Sequence, residues 1–145
     1  MNPKVSVIMP ALNVGDYIGE AITSLIGQDF NDWELIVIDN GSTDHTIEVV
    51  RQFDDRRIKL IHEAKTGISL ARNAGLRAAI GDFICFLDAD DRLPMQSLSA
   101  RISFLIAHPE MSFCDGIVTT SDEEYSTIIS TYKPSIQGNV QIGRA

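Results

Sequence analysis

Short β-branched apolar runs alternate along this chain with stretches whose apolar residues recur every three or four positions, and that alternation restricts the fold more than any other feature. Val5 to Met9 is the first run, stopped by Pro10. Tyr17, Ile18, Ala21, Ile22, Leu25 and Ile26 follow at helical spacing behind Asp16, a residue type that caps helix starts. A second unit joins Trp33 to Ile38 with Ile47, Val50 and Phe53, and Ser42, Thr43 and Asp44 offer oxygens to the free amides of that helix start. A third runs from Ile58 to Ile61 and on through Ile68, Ala71, Gly75, Leu76 and Ala79, where the small residues predict a helix lying close on a sheet. In the fourth, Phe83 to Leu87 leads through an acidic turn to a helix with Pro94 in its first turn and Leu98, Ile102, Leu105 and Ile106 on one face. Such a succession predicts an α/β fold, a mostly parallel sheet with helices on both faces.

In open sheets of this kind ligands bind beyond the carboxyl ends of the strands. The segments there are Pro10 to Asn13, Asp39 to Ser42, His62 to Gly67 and Asp88 to Asp91, all polar or acidic. The last carries Asp88, Asp90 and Asp91 within four residues, the end of an apolar run read as buried. Ionised carboxylates so close repel one another, which leaves a bound metal ion, a raised pKa or full exposure to water as explanations. A calcium loop fails, because counting from Asp88 puts Leu93 where a glycine and Ser99 where a glutamate are needed.

At 145 residues and 44% hydrophobic, the chain supports one core. Acidic residues outnumber basic ones 20 to 12, and the net charge of −8 argues against nucleic acid as a partner. No apolar stretch approaches the roughly 20 residues that span a bilayer, and the start from Met1 to Lys4 lacks the regions of a signal peptide, so the reading is a cytoplasmic protein. Cys85 and Cys114 read as buried reduced thiols, and His45, His62 and His108 show no ligand or triad spacing and receive no role.

Val5-Ser6-Val7-Ile8-Met9-Pro10 with Asn13, Ile38-Asp39-Asn40-Gly41-Ser42-Thr43-Asp44, Ala71-Arg72-Asn73-Ala74-Gly75 and Phe86-Leu87-Asp88-Ala89-Asp90-Asp91 stand in order over roughly residues 4 to 118. Together they resemble the nucleotide-sugar glycosyltransferases of family 2, which have the Rossmann-like GT-A fold and a DxD motif. The resemblance implies transfer of a sugar from a nucleotide-diphosphate donor, a UDP-sugar, to the hydroxyl of a glycan or lipid-linked acceptor. Inversion, assistance by Mn²⁺ or Mg²⁺, and a place in cell-surface polysaccharide or glycoconjugate synthesis are also implied, with peripheral attachment at the inner face of a membrane left open. It implies Asp90 as metal ligand, Asp88 with Ala89 near the ribose or donor sugar, and Asp39 as acceptor for the N3–H of uracil. Pro10 and Ala11 are implied beside the base, with Asn13 in the same turn; Arg72 is implied near the nucleotide or the DxD turn, with pairing to a nearby acid as the competing role, and Gly67 and Lys65 in the preceding loop are placed to approach the diphosphate, with an ordinary loop lysine as the competing role of Lys65. Leu12 departs from the aromatic residue that many family members carry there. Residues 1–118 would form the donor-binding core and 119–145 the start of an acceptor side or a truncated tail. Asp115 and Asp122 to Glu124 are the remaining acids that could take the acceptor's proton. No catalytic base is assigned, so a binding module or a truncated donor-binding fragment of the same fold is the alternative.

Overall fold

The first two strands are buried at every position, as continuous β-branched and apolar runs demand in a parallel sheet covered on both faces. The computed structural model describes residues 4–114 together with the strands 118–121 and 128–132. Its elements are β1 (Val5–Ala11), α1 (Ile18–Ile26), β2 (Trp33–Asp39), α2 (Thr46–Arg51), β3 (Ile58–His62), α3 (Ile68–Ala78), β4 (Phe83–Phe86), α4 (Ser97–Ala107), β5 (Val118–Ser121) and β6 (Ile128–Tyr132). They divide into two units, residues 1–99 and residues 100–144.

In the first unit β1 to β4 form one sheet in the order β3-β2-β1-β4, every pairing parallel. The chain steps outward from β1 to β2 to β3 and then crosses back past β1 to β4. Right-handed crossovers taken in opposite directions place their helices on opposite faces, and α3 accordingly packs on β1 and β2. Ile36 and Ile38 of β2 meet Ala71 and Ala74 of α3. The small residues matter there: a Cβ on Gly75 would come within 2.3 Å of Ile8 Cγ2. α1 carries its own buried stripe of Ile18, Ala21, Ile22 and Leu25 and packs against α2.

At the start of the strands the buried Glu34 accepts hydrogen bonds from Ser6 Oγ at 2.5 Å, Lys59 Nζ at 2.7 Å and the Ile80 amide at 3.0 Å. This ties β1, β2, β3 and the turn before β4 together. Burial alone would raise the Glu34 pKa, but the bonds from Lys59, Ser6 and Ile80 outweigh it and hold the carboxyl below its ordinary value.

Several local expectations change. Pro10 does not stop β1 but sits within it. The Ala11 carbonyl bonds toward β2 and the Ile8 carbonyl toward β4, so alternation points the missing N–H of Pro10 to the β4 side, where the ladder has already ended at Phe86. Asp16 does not cap α1; it pairs with His45 Nε2 at 3.3 Å, and Tyr17 is exposed at the helix start. The fourth helix begins at Ser97, three residues beyond Pro94, whose carbonyl accepts the Ser97 amide. β4 is half-buried rather than buried, because among the described residues only β1 pairs with it. Cys85 and Cys114 form no disulfide among the described residues and are only half-buried.

The second unit holds the rest of α4 and the antiparallel pair β5-β6. Ile102 is buried, Leu105 half-buried and Ile106 exposed, so the expected apolar face of this helix ends before Ile106. Asp115, Asp122 to Glu124 and the ending 141–145 lie outside the described residues. No helix among the described residues is long and apolar enough to cross a membrane.

Candidate functional site

All four strands of the sheet end on one edge, and the loops leaving them are shaped by one another's side chains. Beyond β1, Asn13 adopts a left-handed φ of 52°, which asparagine tolerates. Its Oδ1 accepts the Thr43 amide at 2.8 Å, and its own amide donates to Ser42 Oγ at 3.2 Å. The Ser42 and Thr43 hydroxyls are thus turned toward Asn13, and of the three residues expected at the start of α2 only Asp44 accepts a helix amide, that of Thr46.

Beyond β2, Asp39 is 2% exposed. Its Oδ1 accepts the Ser42 amide at 3.0 Å, and Oδ2 lies 2.9 Å from His62 Nδ1, which the β2-β3 register sets directly opposite. Burial would raise the Asp39 pKa, yet the hydrogen bonds from Ser42 and His62 outweigh it and keep the carboxyl below its ordinary value. Asp39 is therefore ionised at neutral pH, so His62 Nδ1 donates, and two lone pairs remain for another donor.

Asn40, 4% exposed, organises the third loop. Its Nδ2 donates to the carbonyls of Glu63 at 3.0 Å and Lys65 at 2.8 Å, while its Oδ1 accepts the Gly67 amide at 2.7 Å. Every polar position of the side chain is used on loop 63–67. Gly67 then turns with φ of 148°, a region closed to most side chains, and starts α3.

Beyond β4, Asp88, Asp90 and Asp91 are all exposed. Arg72 of α3 donates from Nη2 to Asp88 Oδ1 at 3.1 Å, with its guanidinium 5.6 Å from the Phe86 ring centroid, while its buried Nε has no hydrogen-bond partner among the described residues. Partial desolvation, and after it the charges of Asp90 and Asp88, push the Asp91 carboxyl above its ordinary value. Exposure and a raised pKa thus both operate in this turn. Among the described residues no three or more of His, Cys, Asp and Glu gather closely enough to hold a metal ion. A cation here would take one or two carboxylates and complete its shell from ligand oxygens, the habit of Mg²⁺ and Mn²⁺.

These loops enclose a cleft of about 340 Å³ at the point between β1 and β4 where the strand order reverses. Pro10, Ala11, Gly67, Arg72, Asp88, Ala89 and Asp90 line it. Asn13 and Asp39 stand outside the lining, Asp39 next to the lining residue Asn40. Leu12, Val14 and Ile68 add an aliphatic wall, with Leu12 and Ile68 well exposed for apolar residues. Lys65 is not part of the lining; its amide donates to Glu63 Oε1. Reading the sequence missed His62, although its place at the end of the run following that of Asp39 is a signal once the two runs are taken as paired neighbours.

The model of glycosyl transferase family 2 matches residues 6–140. This chain belongs to that family. An uncharacterized glycosyltransferase of Haemophilus influenzae is 36% identical over 143 residues, covering 88% of this chain and 57% of the relative. The Escherichia coli UDP-Glc:alpha-D-GlcNAc-diphosphoundecaprenol beta-1,3-glucosyltransferase WfgD is 41% identical over 113 residues, covering 77% of this chain and 44% of WfgD. Among solved structures, TarS 1-349 of S. aureus in complex with UDP-GlcNAc superposes with a TM-score of 0.70 at 33% identity, over 73% of this chain and 32% of TarS. The mannosyltransferase PcManGT of Pyrobaculum calidifontis, in complex with GDP-Man and Mn²⁺, gives 0.68 at 28% identity, over 87% of this chain and 37% of that protein. The family 2 chain therefore has the GT-A fold and spans about half the length of these curated relatives.

Proposed function

We propose that this family 2 chain binds a UDP-sugar together with Mn²⁺ or Mg²⁺ and serves transfer of the sugar, with inversion, to a hydroxyl of a glycan or lipid-linked acceptor in cell-surface polysaccharide or glycoconjugate synthesis. The observation that carries this reading is a cleft lined by the N-terminal end of α3 and the Asp88–Asp90 turn, with an ionised Asp39 next in sequence to the lining residue Asn40. Asp39 accepts the imide N–H of the base, which rests against Leu12, Ile68 and the backbone of Pro10 and Ala11. Asn13 contributes by holding the loop that carries these residues. The free amides at the start of α3, beside Gly67, favour the negative diphosphate. Arg72 neutralises Asp88 beside the ribose or donor sugar, with Ala89 packed between the two acids of the motif, and Asp90 is left to hold the cation. When bound, the cation neutralises charge that grows on the leaving diphosphate.

Uracil (N3–H) and guanine (N1–H) both present a ring N–H donor on the pairing edge, whereas cytosine and adenine do not. Leaving the buried Asp39 acceptor unpaired costs about 1–3 kcal/mol, or roughly 5- to 150-fold in affinity. UDP is favoured over GDP by the UDP-GlcNAc complex of TarS and the UDP-Glc in the name of WfgD, against the GDP-Man complex of PcManGT. Calorimetry with UDP, GDP and CDP, with and without Mn²⁺, tests the assignment. UDP should bind most tightly, CDP should be weaker, and Asp90→Ala should remove the part that depends on Mn²⁺. Failure of a folded sample to bind any nucleoside diphosphate, or a Mn²⁺ dependence unchanged in Asp90→Ala, sinks it.

Among the described residues the carboxylates lining the cleft are Asp88 and Asp90, both given binding roles. That favours a second reading, a donor-binding part without transfer of its own. Incubating the chain with UDP-sugar and acceptor separates the two, since glycoside product excludes the second. Residues 1–118 are proposed as the donor core and 119–145 as the start of an acceptor side, working in the cytoplasm at the inner face of the membrane.

A further inference from the structure

Glu20, Ser24 and Gln28 stand four residues apart along α1 and the turn that ends it, and all three grip the segment that leaves the acidic turn. The Glu20 carboxylate pairs with the Arg92 guanidinium. Ser24 Oγ accepts the Leu93 amide at 3.1 Å while donating to the Ala21 carbonyl at 2.7 Å. Gln28, only 4% exposed, donates from Nε2 to the carbonyls of Pro94 at 2.8 Å, Ser24 at 3.1 Å and Leu93 at 3.3 Å. Its Oε1 accepts the Leu98 amide at 3.0 Å, one of the free amides that open α4. The neighbouring Asp29 adds two more bonds, its amide to the Met95 carbonyl at 3.1 Å and its carboxylate to Ser99 Oγ at 2.9 Å.

The unequal worth of these contacts identifies the residue that matters. The Glu20–Arg92 pair is exposed on both sides, and pairs of that kind contribute little. Gln28 is buried, and its loss leaves three carbonyls and a helix amide without this partner, the costly arrangement. The acidic turn is anchored at both ends, in addition to the bond from Arg72 to Asp88. Its entry is fixed by the Leu87 amide on the Ile8 carbonyl at 3.1 Å, and its exit by Gln28 and Ser24 at residues 93 and 94. Asp88, Asp90 and Asp91 lie between these points and crowd one another, so the turn needs both ends held to keep Asp88 and Asp90 on the cleft.

The geometry points to Gln28 as a positioning residue for the acidic turn: it touches neither cation nor nucleotide, yet it sets where Asp90 stands. The cation part of this inference rests on the donor-site reading above; the part concerning the turn does not.

The test compares the full chain with Gln28→Leu, which keeps the bulk and removes every bond, and Ser24→Ala, a milder loss that protects the experiment if the first variant folds poorly. Two readouts are taken, amide hydrogen exchange by residue and UDP affinity with and without Mn²⁺. In Gln28→Leu, exchange should quicken across residues 88–93 while residues 39–42 keep the wild-type rate, and Ser24→Ala should do the same to a smaller degree. The gain in UDP affinity on adding Mn²⁺ should fall about tenfold, with the metal-free affinity changed less than about twofold. A merely structural role would move both affinities and both segments together, and that result overturns the proposal. Unchanged exchange at residues 88–93 overturns it too. Should wild-type protein show no gain from Mn²⁺, the donor-site reading fails, and the exchange data alone decide whether Gln28 holds the turn.

Discussion

Replacing Asn40 by aspartate changes one atom in shape terms and reverses the chemistry of the loop it holds. Asn40 Nδ2 donates to the Glu63 and Lys65 carbonyls at 3.0 and 2.8 Å. In Asn40→Asp both carbonyls lose their donor and face a carboxylate oxygen instead, at a residue 4% exposed. The two part-buried carbonyls left unpaired cost about 1–2 kcal/mol each, and the Gly67 amide, now bonded to a charged oxygen, returns about 1 kcal/mol. The net loss is therefore about 1–3 kcal/mol, a fall in Tm of roughly 3–12 °C for a chain of this size. Burial and the facing carbonyls raise the pKa of the new carboxyl, so its penalty is present above that pKa and shrinks as pH falls through it. Thermal melts of wild type and variant between pH 7 and 5 read both effects, and the gap between them should narrow at the lower pH. UDP affinity should fall as well, since Thr66 and Gly67 of the freed loop line the cleft. An Asn40→Asp protein that melts with wild type and binds UDP equally well would refute the latch.

Gly75→Ala drives a methyl into Ile8 and should cost about 1–3 kcal/mol by overpacking, read by denaturant unfolding; an unchanged midpoint would mean that α3 does not lie this close to β1. His62→Phe removes the donor to Asp39, whereas His62→Asn can place an amide near the same spot. The first should weaken UDP binding by roughly 3- to 10-fold and the second should restore much of it, and equal behaviour of the two would sink the pairing. Asp39 and Glu34 both have pKa values lowered by folding, so the unfolded chain binds protons that the folded one refuses. Their stabilisation is complete above the ordinary carboxylate values and is lost as pH falls below about 4. Melting curves from pH 6 to 3 should show a steep drop at the acid end that is shallower in Glu34→Gln, and a flat profile would count against it.

The strand and helix alternation was legible because it is written in local period, and the polar strand ends were legible because parallel strands place function at one edge. What went unread involves partners far apart in sequence. Asp16 looked like a cap on residue type alone, but the folded chain brings His45 to it. Pro10 looked like a stop, since only the sheet order reveals that the neighbour on its N–H side has ended. The run leading into the acidic turn looked buried because its residues are apolar, whereas β4 has one pairing neighbour among the described residues.

The sequence by itself determined the alternating elements and the strand ends at which the candidate residues stand: Asp39, the Asp88–Asp90 turn, Gly67 and Arg72, all tied to turn and strand-end signals within a few residues. The tertiary structure alone decided how those groups are held. His62 reaches Asp39 through strand register, Asn40 closes a loop more than twenty residues away, and Gln28 clasps the exit of the acidic turn from the turn after α1, some 65 residues earlier. Period and turn chemistry depend on neighbours along the chain, whereas hydrogen-bond partners across crossovers depend on the order and register of the sheet, which no local pattern specifies.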